Sequence, residues 1–270
     1  MSRPLVMGVV NVTPDSFSDG GEWFAPDAAV AHGRELLATG ADLLDVGGES
    51  TRPGAERPTE AEELRRVIPV VTALAADGAT VSIDTMRASV AERALDAGAS
   101  MLNDVSGGLA DPRMAPLAAE ASVPFIAMHW RGHSTDMQSR AVYDDVVAEV
   151  CSELRHRMDS LRDSGIRDEN LIIDPGFGFA KTAEHNWSLL QRLDEVVALG
   201  PRVLIGTSRK AFLGRVGRVP GAERAPKDRD VATAATSLYA ALHGVWAVRV
   251  HDVASTVDAL DVAIALEEAR

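Results

Sequence analysis

Polar side chains able to bind anions, share protons or read hydrogen-bonding groups follow short apolar runs along the 270-residue chain. They are Asn11, Asp45, Asp84, Asn103, Asp104, His129, Asp174, Ser208, Lys210, Arg249 and His251. A single Asp or Asn after a strand is often a helix cap or a turn residue, and Asp84 and Asp111 share this ambiguity. We interpret Asp111, which precedes a proline, as a cap and Asp84 as a site residue. The recurrence of such residues predicts one shared site.

Basic residues near the end of the chain predict a binding site for an anion. Arg249 and His251 are two positions apart, so their side chains point the same way from a strand. The small residues 206–208 precede Lys210 at the place where barrels often bind a phosphate. The chain has neither a Walker loop nor a dinucleotide-binding GxGxxG pattern, and we interpret the glycines of GFGF at 176–179 as turn or close-approach residues.

Asp174 directly follows an apolar run and precedes a proline, which places a carboxylate in a largely apolar surrounding. A buried carboxylate requires hydrogen-bond donors. The edge of an amidine-like heterocycle, with adjacent N–H groups, would satisfy both oxygens, while Asn103 and Lys210 bond neighbouring edges of the ring. An internal ion pair between Asp174 and Lys210 is the alternative.

Two polar, glycine-rich segments, at 11–21 and 47–54, follow the first two apolar runs. They contain Asp19, Thr51 and Arg52 and have the composition of loops that close over a ligand. An ordinary surface connection is the alternative for both. The tract 214–230, rich in Gly, Pro and Arg, is interpreted as a mobile excursion.

Eight β-branched or apolar runs must position these side chains. They are 5–10, 43–46, 81–83, 101–105, 125–128, 171–173, 203–205 and 247–250. Amphipathic helical spacing lies between them, which is typical of parallel β/α units. The sequence therefore predicts a single-domain α/β protein over residues 1–270, a (β/α)8 TIM barrel, with an open doubly wound sheet as the alternative. In such a barrel the loops after the strands form the active face.

Composition excludes several classes of partner. The net charge of −13 argues against a nucleic acid, which needs a basic surface, and no apolar run is long enough to cross a membrane. A signal peptide is not indicated, and Cys151 is the only cysteine, so we expect a cytoplasmic protein. Cys151 lies in a predicted helix over 142–164, where it is interpreted as a small hydrophobic residue.

Seven motifs occur in one order between residues 11 and 253: NVTPDSFSDGG, DVGGESTRPG, VSIDT, NDVSGG, DPGFGFAK, GTSRKAFLG and VRVHDV. In this order they resemble the motifs of the dihydropteroate synthases, a family of pterin-binding barrels. The resemblance implies condensation of 6-hydroxymethyl-7,8-dihydropterin diphosphate with para-aminobenzoate, giving dihydropteroate and pyrophosphate for folate synthesis. It also implies Mg²⁺, competition by sulfonamides and a homodimer.

The same resemblance implies a role for individual residues. The pterin would be held by Asp84, Asn103, Asp174 and Lys210. The diphosphate would be held by Arg52, Arg249, His251 and a Mg²⁺ ion on Asn11. Para-aminobenzoate would contact Thr51, Pro53, Phe179 and Ser208. Asp19, Lys210 and Arg52 would act in catalysis, whereas His129, Asp45 and the segment 131–143 receive no role.

Two other functions are compatible with a pterin pocket. A methyltetrahydrofolate-binding barrel of a corrinoid methyltransferase would need a cobalamin partner, and no cobalamin-binding segment is visible. A pterin-binding scaffold or regulator without turnover would need no intact STRPG and SRK motifs, and both are present. These motifs favour the synthase.

Overall fold

The computed structural model describes residues 3–13, 26–50, 57–133, 137–216 and 223–269. Four of the predicted site residues, Asp19, Thr51, Arg52 and Pro53, lie outside these ranges.

Eight parallel strands form a closed barrel in sequential order. They are β1 Leu5–Asn11, β2 Leu43–Gly47, β3 Val81–Asp84, β4 Met101–Asp104, β5 Phe125–Met128, β6 Leu171–Asp174, β7 Arg202–Ile205 and β8 Ala247–Val250. Strand β8 closes the ring by pairing with β1, with Ala247 opposite Leu5. The TIM barrel is therefore confirmed over the open sheet, and each strand begins and ends within one residue of its predicted bounds.

Helices cover the outside of the barrel. They are α1 Pro26–Ala38, α2 Glu60–Ala76, α3 Ala88–Asp96, α4 Met114–Ala121, α5 Val146–Asp163, α6 Ala183–Gln191, α7 Leu193–Val197, α8 Ala211–Gly214, α9 Asp230–Leu242 and α10 Val253–Glu268. Short 3-10 helices occur at Met137–Arg140, Asp168–Asn170 and Pro226–Arg229. No helix in these ranges is long and apolar enough to span a membrane.

The structure refines two predictions about where helices begin and how they are capped. Helix α5 begins at Val146 rather than at residue 142, because the Asp145 carboxylate accepts from the first backbone N–H groups of the helix and ends the preceding loop. Cys151 is buried within α5, as expected. Asp111 accepts from the backbone N–H of Arg113 directly before α4, as expected of a cap, and its other carboxylate oxygen accepts from the backbone N–H of Ala88 at the start of α3.

The tract 214–230 is partly regular structure. It contains the 3-10 helix Pro226–Arg229 and the first residue of α9, and the backbone N–H of Arg224 donates to the carbonyl of Gly214 at 3.0 Å. Residues 217–222 lie outside the described part of the chain, and the predicted mobility of the tract is not decided there.

An apolar plug fills the barrel interior, separate from the larger core between strands and helices. Seven of the strands contribute one buried side chain each: Met7, Leu43, Met101, Ile126, Ile172, Leu204 and Ala247. Side chains two positions further along a strand point the same way and one layer higher. That next layer contains Asp45, Asn103, Asp174 and Arg249, so the alternation of each strand places polar groups directly above an apolar floor.

Candidate active site

Arg249 is the centre of a hydrogen-bonded network in the polar layer. Its Nε donates to Asp45 Oδ2 at 2.6 Å and its Nη2 donates to Asp84 Oδ2 at 2.9 Å. Asn103 Nδ2 donates to the same Asp45 oxygen at 2.9 Å, and Asp45 is fully buried. The sequence predicted an anion beside Arg249, and the partners of its guanidinium are two carboxyl groups of the chain itself. Sequence reasoning gave Asp45 no role, although its position two residues after Leu43 of the plug was a usable signal.

Burial changes the charge states in this network. Burial and the neighbouring Asp45 raise the pKa of Asp84 to about 8, with Arg249 opposing the shift, so Asp84 is largely protonated at neutral pH. Burial disfavours the charged guanidinium of Arg249, but Asp45 and Asp84 outweigh this effect and its pKa lies above the ordinary value. A protonated Asp84 can both donate and accept a hydrogen bond.

Asp174 ends β6 and is only 7% exposed. Its Oδ1 accepts from the backbone N–H of Gly176 at 2.7 Å, and burial raises its pKa to about 6 against the influence of that hydrogen bond and of Lys210. The direct ion pair between Asp174 and Lys210 is not formed. Lys210 Nζ lies over the Phe179 ring instead, 4.1 Å from the centroid, and burial together with Arg249 lowers the pKa of Lys210 to about 8. The Asp174 carboxylate therefore faces the mouth of the barrel, the end at which the strands finish, without a direct ion pair.

The glycines of the GFGF segment have the roles predicted from the sequence. Gly176 and Gly178 have φ angles of 70° and 76°, in the left-handed region that favours glycine. A Cβ on Gly178 would lie 2.9 Å from Lys210 Cδ. The turn thereby brings the segment against the Lys210 stem and sets Phe179 beside its ammonium.

A buried lysine at the end of the same motif escaped the sequence analysis. Lys181 Nζ donates to the carbonyl of Phe179 at 3.1 Å and to His129 Nδ1 at 3.0 Å. His129 Nε2 contacts Glu153 Oε2 at 2.9 Å, and burial with the nearby Lys181 lowers the pKa of His129 to about 4. A neutral His129 thus accepts at Nδ1 and donates at Nε2. Lys181 thus ties the backbone of Phe179 to His129, which gives His129 a structural place that the sequence did not reveal.

The turn after β7 is held in an unusual conformation. Arg209 has a φ of 59°, its guanidinium donates twice to the Asp230 carboxylate at 2.7 and 2.8 Å, and its carbonyl accepts from Arg229 Nη1 at 2.9 Å. These contacts hold a backbone conformation that costs energy in a residue other than glycine. Ser208 and His251 meet across the ends of β7 and β8, with Ser208 Oγ 2.8 Å from His251 Nδ1.

Asn11, the predicted metal ligand, is the last residue of β1 and is half-buried. Among the described residues no group of three or more His, Cys, Asp or Glu side chains is arranged to hold a metal ion. Magnesium in phosphate-transfer sites is commonly held by one or two protein oxygens, with waters and phosphate oxygens completing the shell. A single amide oxygen at the mouth of the barrel fits that pattern.

Two cavities differ in their relation to these residues. A small one at the mouth is lined by Glu49, Ser50, Met86, Val105, Trp130, Gly132, His133 and Phe179. Residues 130–133 therefore reach the site, although the segment that follows Trp130 matched no motif. A larger cavity of about 470 Å³, bounded by Arg3, Arg202 and Trp246, opens at the opposite end of the barrel and is lined by none of the predicted site residues.

These features define a (β/α)8-barrel enzyme whose polar mouth presents carboxylates, an amide and cations above a closed floor. The family model described as pterin binding enzyme matches residues 7–251. A dihydropteroate synthase of Mycobacterium leprae is 56% identical over 95% of this chain and 91% of the relative. The structure of the Xanthomonas albilineans dihydropteroate synthase with 4-aminobenzoic acid has a TM-score of 0.91 and 47% identity, covering 98% of this chain and 93% of that one. The structure of the Yersinia pestis dihydropteroate synthase with a sulfonamide drug complex has a TM-score of 0.90 and 40% identity, covering 98% of this chain and 95% of that one.

The chain belongs to the pterin binding enzymes, and among them to the dihydropteroate synthases. It is accordingly a transferase of folate biosynthesis.

Proposed function

We propose that this barrel condenses 6-hydroxymethyl-7,8-dihydropterin diphosphate with para-aminobenzoate, releasing pyrophosphate. The observation that carries the proposal is the Asp174 carboxylate, which is nearly buried, has one oxygen occupied by Gly176 and lies without a direct cation above the apolar plug. The adjacent N–H groups of a pterin edge supply the donors that such a carboxylate requires. The family relationship supports the same substrate class.

In this proposal the pterin lies deepest in the mouth. Asp174 accepts from the amidine-like edge, and Asn103, already oriented by Asp45, bonds the neighbouring edge. Lys210 donates to the ring carbonyl, while the protonated Asp84 donates or accepts at the far side of the ring. Each group occupies the end of a different strand or the turn after it, so the barrel fixes their separation before the ligand arrives.

The diphosphate end of the substrate lies towards β8 in our proposal. Arg249 and His251, with Arg52 from the segment outside the described residues, supply hydrogen-bond donors to the phosphate oxygens, and the two guanidinium groups supply positive charge. Asn11 would hold a Mg²⁺ ion, which when bound would neutralise the diphosphate and favour its departure. The phosphates compete with Asp45 and Asp84 for Arg249, because both carboxyl groups already contact its guanidinium.

Para-aminobenzoate occupies the outer part of the mouth, against Phe179 and Ser208, with Thr51 and Pro53 on the other side. The bond between the pterin methylene carbon and the diphosphate oxygen breaks first, and Asp19 shelters the cationic methylene from water. The arylamine nitrogen then forms the new carbon–nitrogen bond and loses a proton. Positioning and charge stabilisation supply most of the rate enhancement. Sulfonamides would compete for the same outer position. The sulfonamide complex of the Yersinia pestis relative supports this part of the proposal.

The proposed reaction is tested by mixing the protein with the pterin diphosphate, para-aminobenzoate and Mg²⁺ and measuring pyrophosphate. We expect release that requires the protein, stops when a chelator removes Mg²⁺ and is inhibited competitively by a sulfonamide. Binding of the pterin without release would identify a scaffold or regulator. Methyl transfer from methyltetrahydrofolate to cobalamin, with no pyrophosphate, would identify a corrinoid methyltransferase. Either outcome would overturn the proposal.

Pterin binding should weaken as the pH falls through the pKa of Asp174, which lies at about 6. The carboxylate can accept two hydrogen bonds from the ligand. Once protonated, it carries an O–H donor that faces the N–H donors of the ligand. For one proton the affinity should fall about tenfold per pH unit below that value. Calorimetric titration with 6-hydroxymethylpterin at about pH 5 and about pH 7 measures the effect. A flat profile would contradict the role of Asp174, and the Asp174→Asn variant should lack the slope.

A homodimer in the cytoplasm completes the proposal. The support for a dimer is a set of exposed apolar side chains on the neighbouring helices α9 and α10: Val231, Tyr239, Leu242, Val262 and Leu266. Apolar patches of this kind often mark interfaces between subunits. The cytoplasmic location is supported by the single, buried cysteine. Light scattering measures the oligomeric state directly.

A further inference from the structure

A buried lysine holds the β6–α6 turn, the eight residues 175–182 that join β6 to α6. Lys181 is only 3% exposed, and a lysine is rarely buried to this extent unless its amino group has polar partners. Here the partners are the carbonyl of Phe179 at 3.1 Å and His129 Nδ1 at 3.0 Å. His129 directly follows β5. The lysine therefore links the end of the GFGF segment to the end of a neighbouring strand.

The β6–α6 turn has a backbone conformation that needs support. Gly176, Gly178 and Ala180 all have positive φ angles, and the value for Ala180 is 47°. Glycine adopts this left-handed region freely, but an alanine there costs energy. Ala180 lies between Phe179, whose carbonyl accepts, and Lys181, whose side chain donates. The hydrogen bond from Lys181 thus closes the turn around Ala180 and stabilises its left-handed conformation.

Phe179 is the residue of this turn that reaches the site. Its ring centroid lies 4.1 Å from Lys210 Nζ, and it lines the small cavity at the mouth together with Trp130. The preceding residue, Gly178, is fixed separately, because its backbone N–H donates to Asn186 Oδ1 at 2.7 Å. The orientation of Phe179 therefore depends on what holds the chain on its other side, and that group is Lys181.

His129 is anchored independently of the turn. Its Nε2 contacts Glu153 Oε2 at 2.9 Å, and Glu153, in α5, also accepts from Arg131 Nε at 3.1 Å. The backbone N–H of His129 donates to the carbonyl of Asp174 at 2.8 Å, which extends the pairing of β5 with β6. Because the imidazole is neutral and donates to Glu153, its Nδ1 is an acceptor with a fixed position. Lys181 thus connects the turn to a rigid point on the barrel.

We infer that Lys181 is a positioning residue for the arylamine subsite: it ties the carbonyl of Phe179 to His129 and so fixes the aromatic ring against which para-aminobenzoate packs. The inference rests on the proposed function, which assigns para-aminobenzoate to Phe179. Asn103 and Asp174, which hold the pterin in that proposal, lie in β4 and β6, where pairing with β5 fixes them without Lys181. Loss of Lys181 should therefore affect the arylamine more than the pterin.

His129 allows a matched pair of variants. In His129→Gln the amide can replace Nε2 as a donor to Glu153 but leaves no acceptor at the Nδ1 position, whereas in His129→Asn the amide oxygen takes the Nδ1 position and can accept from Lys181. We expect His129→Gln to raise the KM for para-aminobenzoate about tenfold, with kcat close to wild type. His129→Asn should raise this KM by less than about threefold.

Direct removal of the lysine gives a second comparison. Lys181→Met should raise the KM for para-aminobenzoate at least about tenfold. The affinity for 6-hydroxymethylpterin, measured at about pH 8, should stay close to wild type, because Asp174 is ionised there with or without the nearby cation. Lys227→Met is the control for loss of a lysine, since Lys227 is exposed in the 3-10 helix Pro226–Arg229.

Hydrogen exchange provides a measurement that does not depend on turnover. The backbone N–H groups of residues 176–182 should exchange about tenfold faster in Lys181→Met and His129→Gln than in the wild type, His129→Asn or Lys227→Met. If Lys181→Met does not fold, the two His129 variants carry the same test. An unchanged arylamine KM in folded His129→Gln, an equal rise in both His129 variants, or unchanged exchange would overturn the inference. Absence of pyrophosphate release by the wild type would instead refute the proposed function, and the exchange result would stand separately.

Discussion

Replacing Asp174 by asparagine should weaken pterin binding about a hundredfold, because the amide presents a donor where the carboxylate accepted. The amide oxygen can keep the hydrogen bond from Gly176, which turns the amide nitrogen towards the ligand. The acceptor at the other oxygen is then lost, a donor faces a donor, and no negative charge strengthens the hydrogen bonds that remain. Calorimetric titration with 6-hydroxymethylpterin measures the loss. Asp42→Asn, at the opposite end of the barrel, where the carboxylate accepts from Val6 N, should leave the affinity unchanged.

The stability of the same variant separates lost binding from lost structure. The pKa of Asp174 is raised to about 6 from 3.8, so its contribution to folding is most favourable when the group is protonated and is lost as the pH rises through about 6. Asparagine cannot ionise and avoids that cost. Above this pH we expect the free energy of unfolding of Asp174→Asn to be about 2–3 kcal/mol higher than that of the wild type, so the variant is the more stable protein. Wild-type pterin affinity in the variant would refute the assigned role.

Arg249→Met should abolish most of the activity and also destabilise the protein. Removing the guanidinium leaves Asp45 and Asp84 in the barrel without their shared cation, and breaking a buried ion pair in this way costs about 3 kcal/mol. The loss should be larger at about pH 9 than at about pH 6, because Arg249 lowers the pKa of Asp84 and so lets the wild type ionise this group at high pH, whereas the variant must keep it protonated or bury a second unpaired charge. Urea unfolding at the two pH values measures the difference.

A second substitution separates the structural effect from the role in binding the diphosphate. Arg249→Met combined with Asp45→Asn removes the uncompensated charge, while the asparagine oxygen can still accept from Asn103. This pair should regain much of the lost stability, but kcat/KM should remain about a hundredfold below wild type because no guanidinium faces the phosphates. Recovery of activity together with stability would indicate that Arg249 only supports the fold.

The barrel and the location of the site could be predicted from the sequence because both depend on local patterns. Apolar runs of three to six residues predict the strands, and the polar residues at or near the end of the runs fall at one end of the barrel. The partners of those residues depend on closure of the ring, which no local pattern contains. Arg249 and Asp45 are 204 positions apart, and their contact requires β8, β1 and β2 to lie side by side. The neutral state of His129, which is hydrogen-bonded to Lys181, likewise depends on burial created by elements distant in sequence.

The alternation of side chains along a strand predicts which residues lie in the polar layer, and the motifs alone do not. Leu43 belongs to the plug and Asp45 to the layer above it, just as Met101 precedes Asn103 and Ile172 precedes Asp174. Applying that register to every strand would have given Asp45, already one of the polar residues near the strand ends, a place in the layer with Asn103 and Asp174. Asp19, Thr51, Arg52 and Pro53 lie outside the described residues, so their roles remain predictions.

The apolar plug leaves the site open to solvent at one end of the barrel only. Met7, Leu43, Met101 and their neighbours close the floor, so a molecule seated on Asp174 can enter and leave only through the mouth. In the proposed arrangement para-aminobenzoate sits nearer the opening than the pterin does. The pterin diphosphate must therefore arrive before the arylamine, and an inhibitor in the outer position would trap whatever lies beneath it.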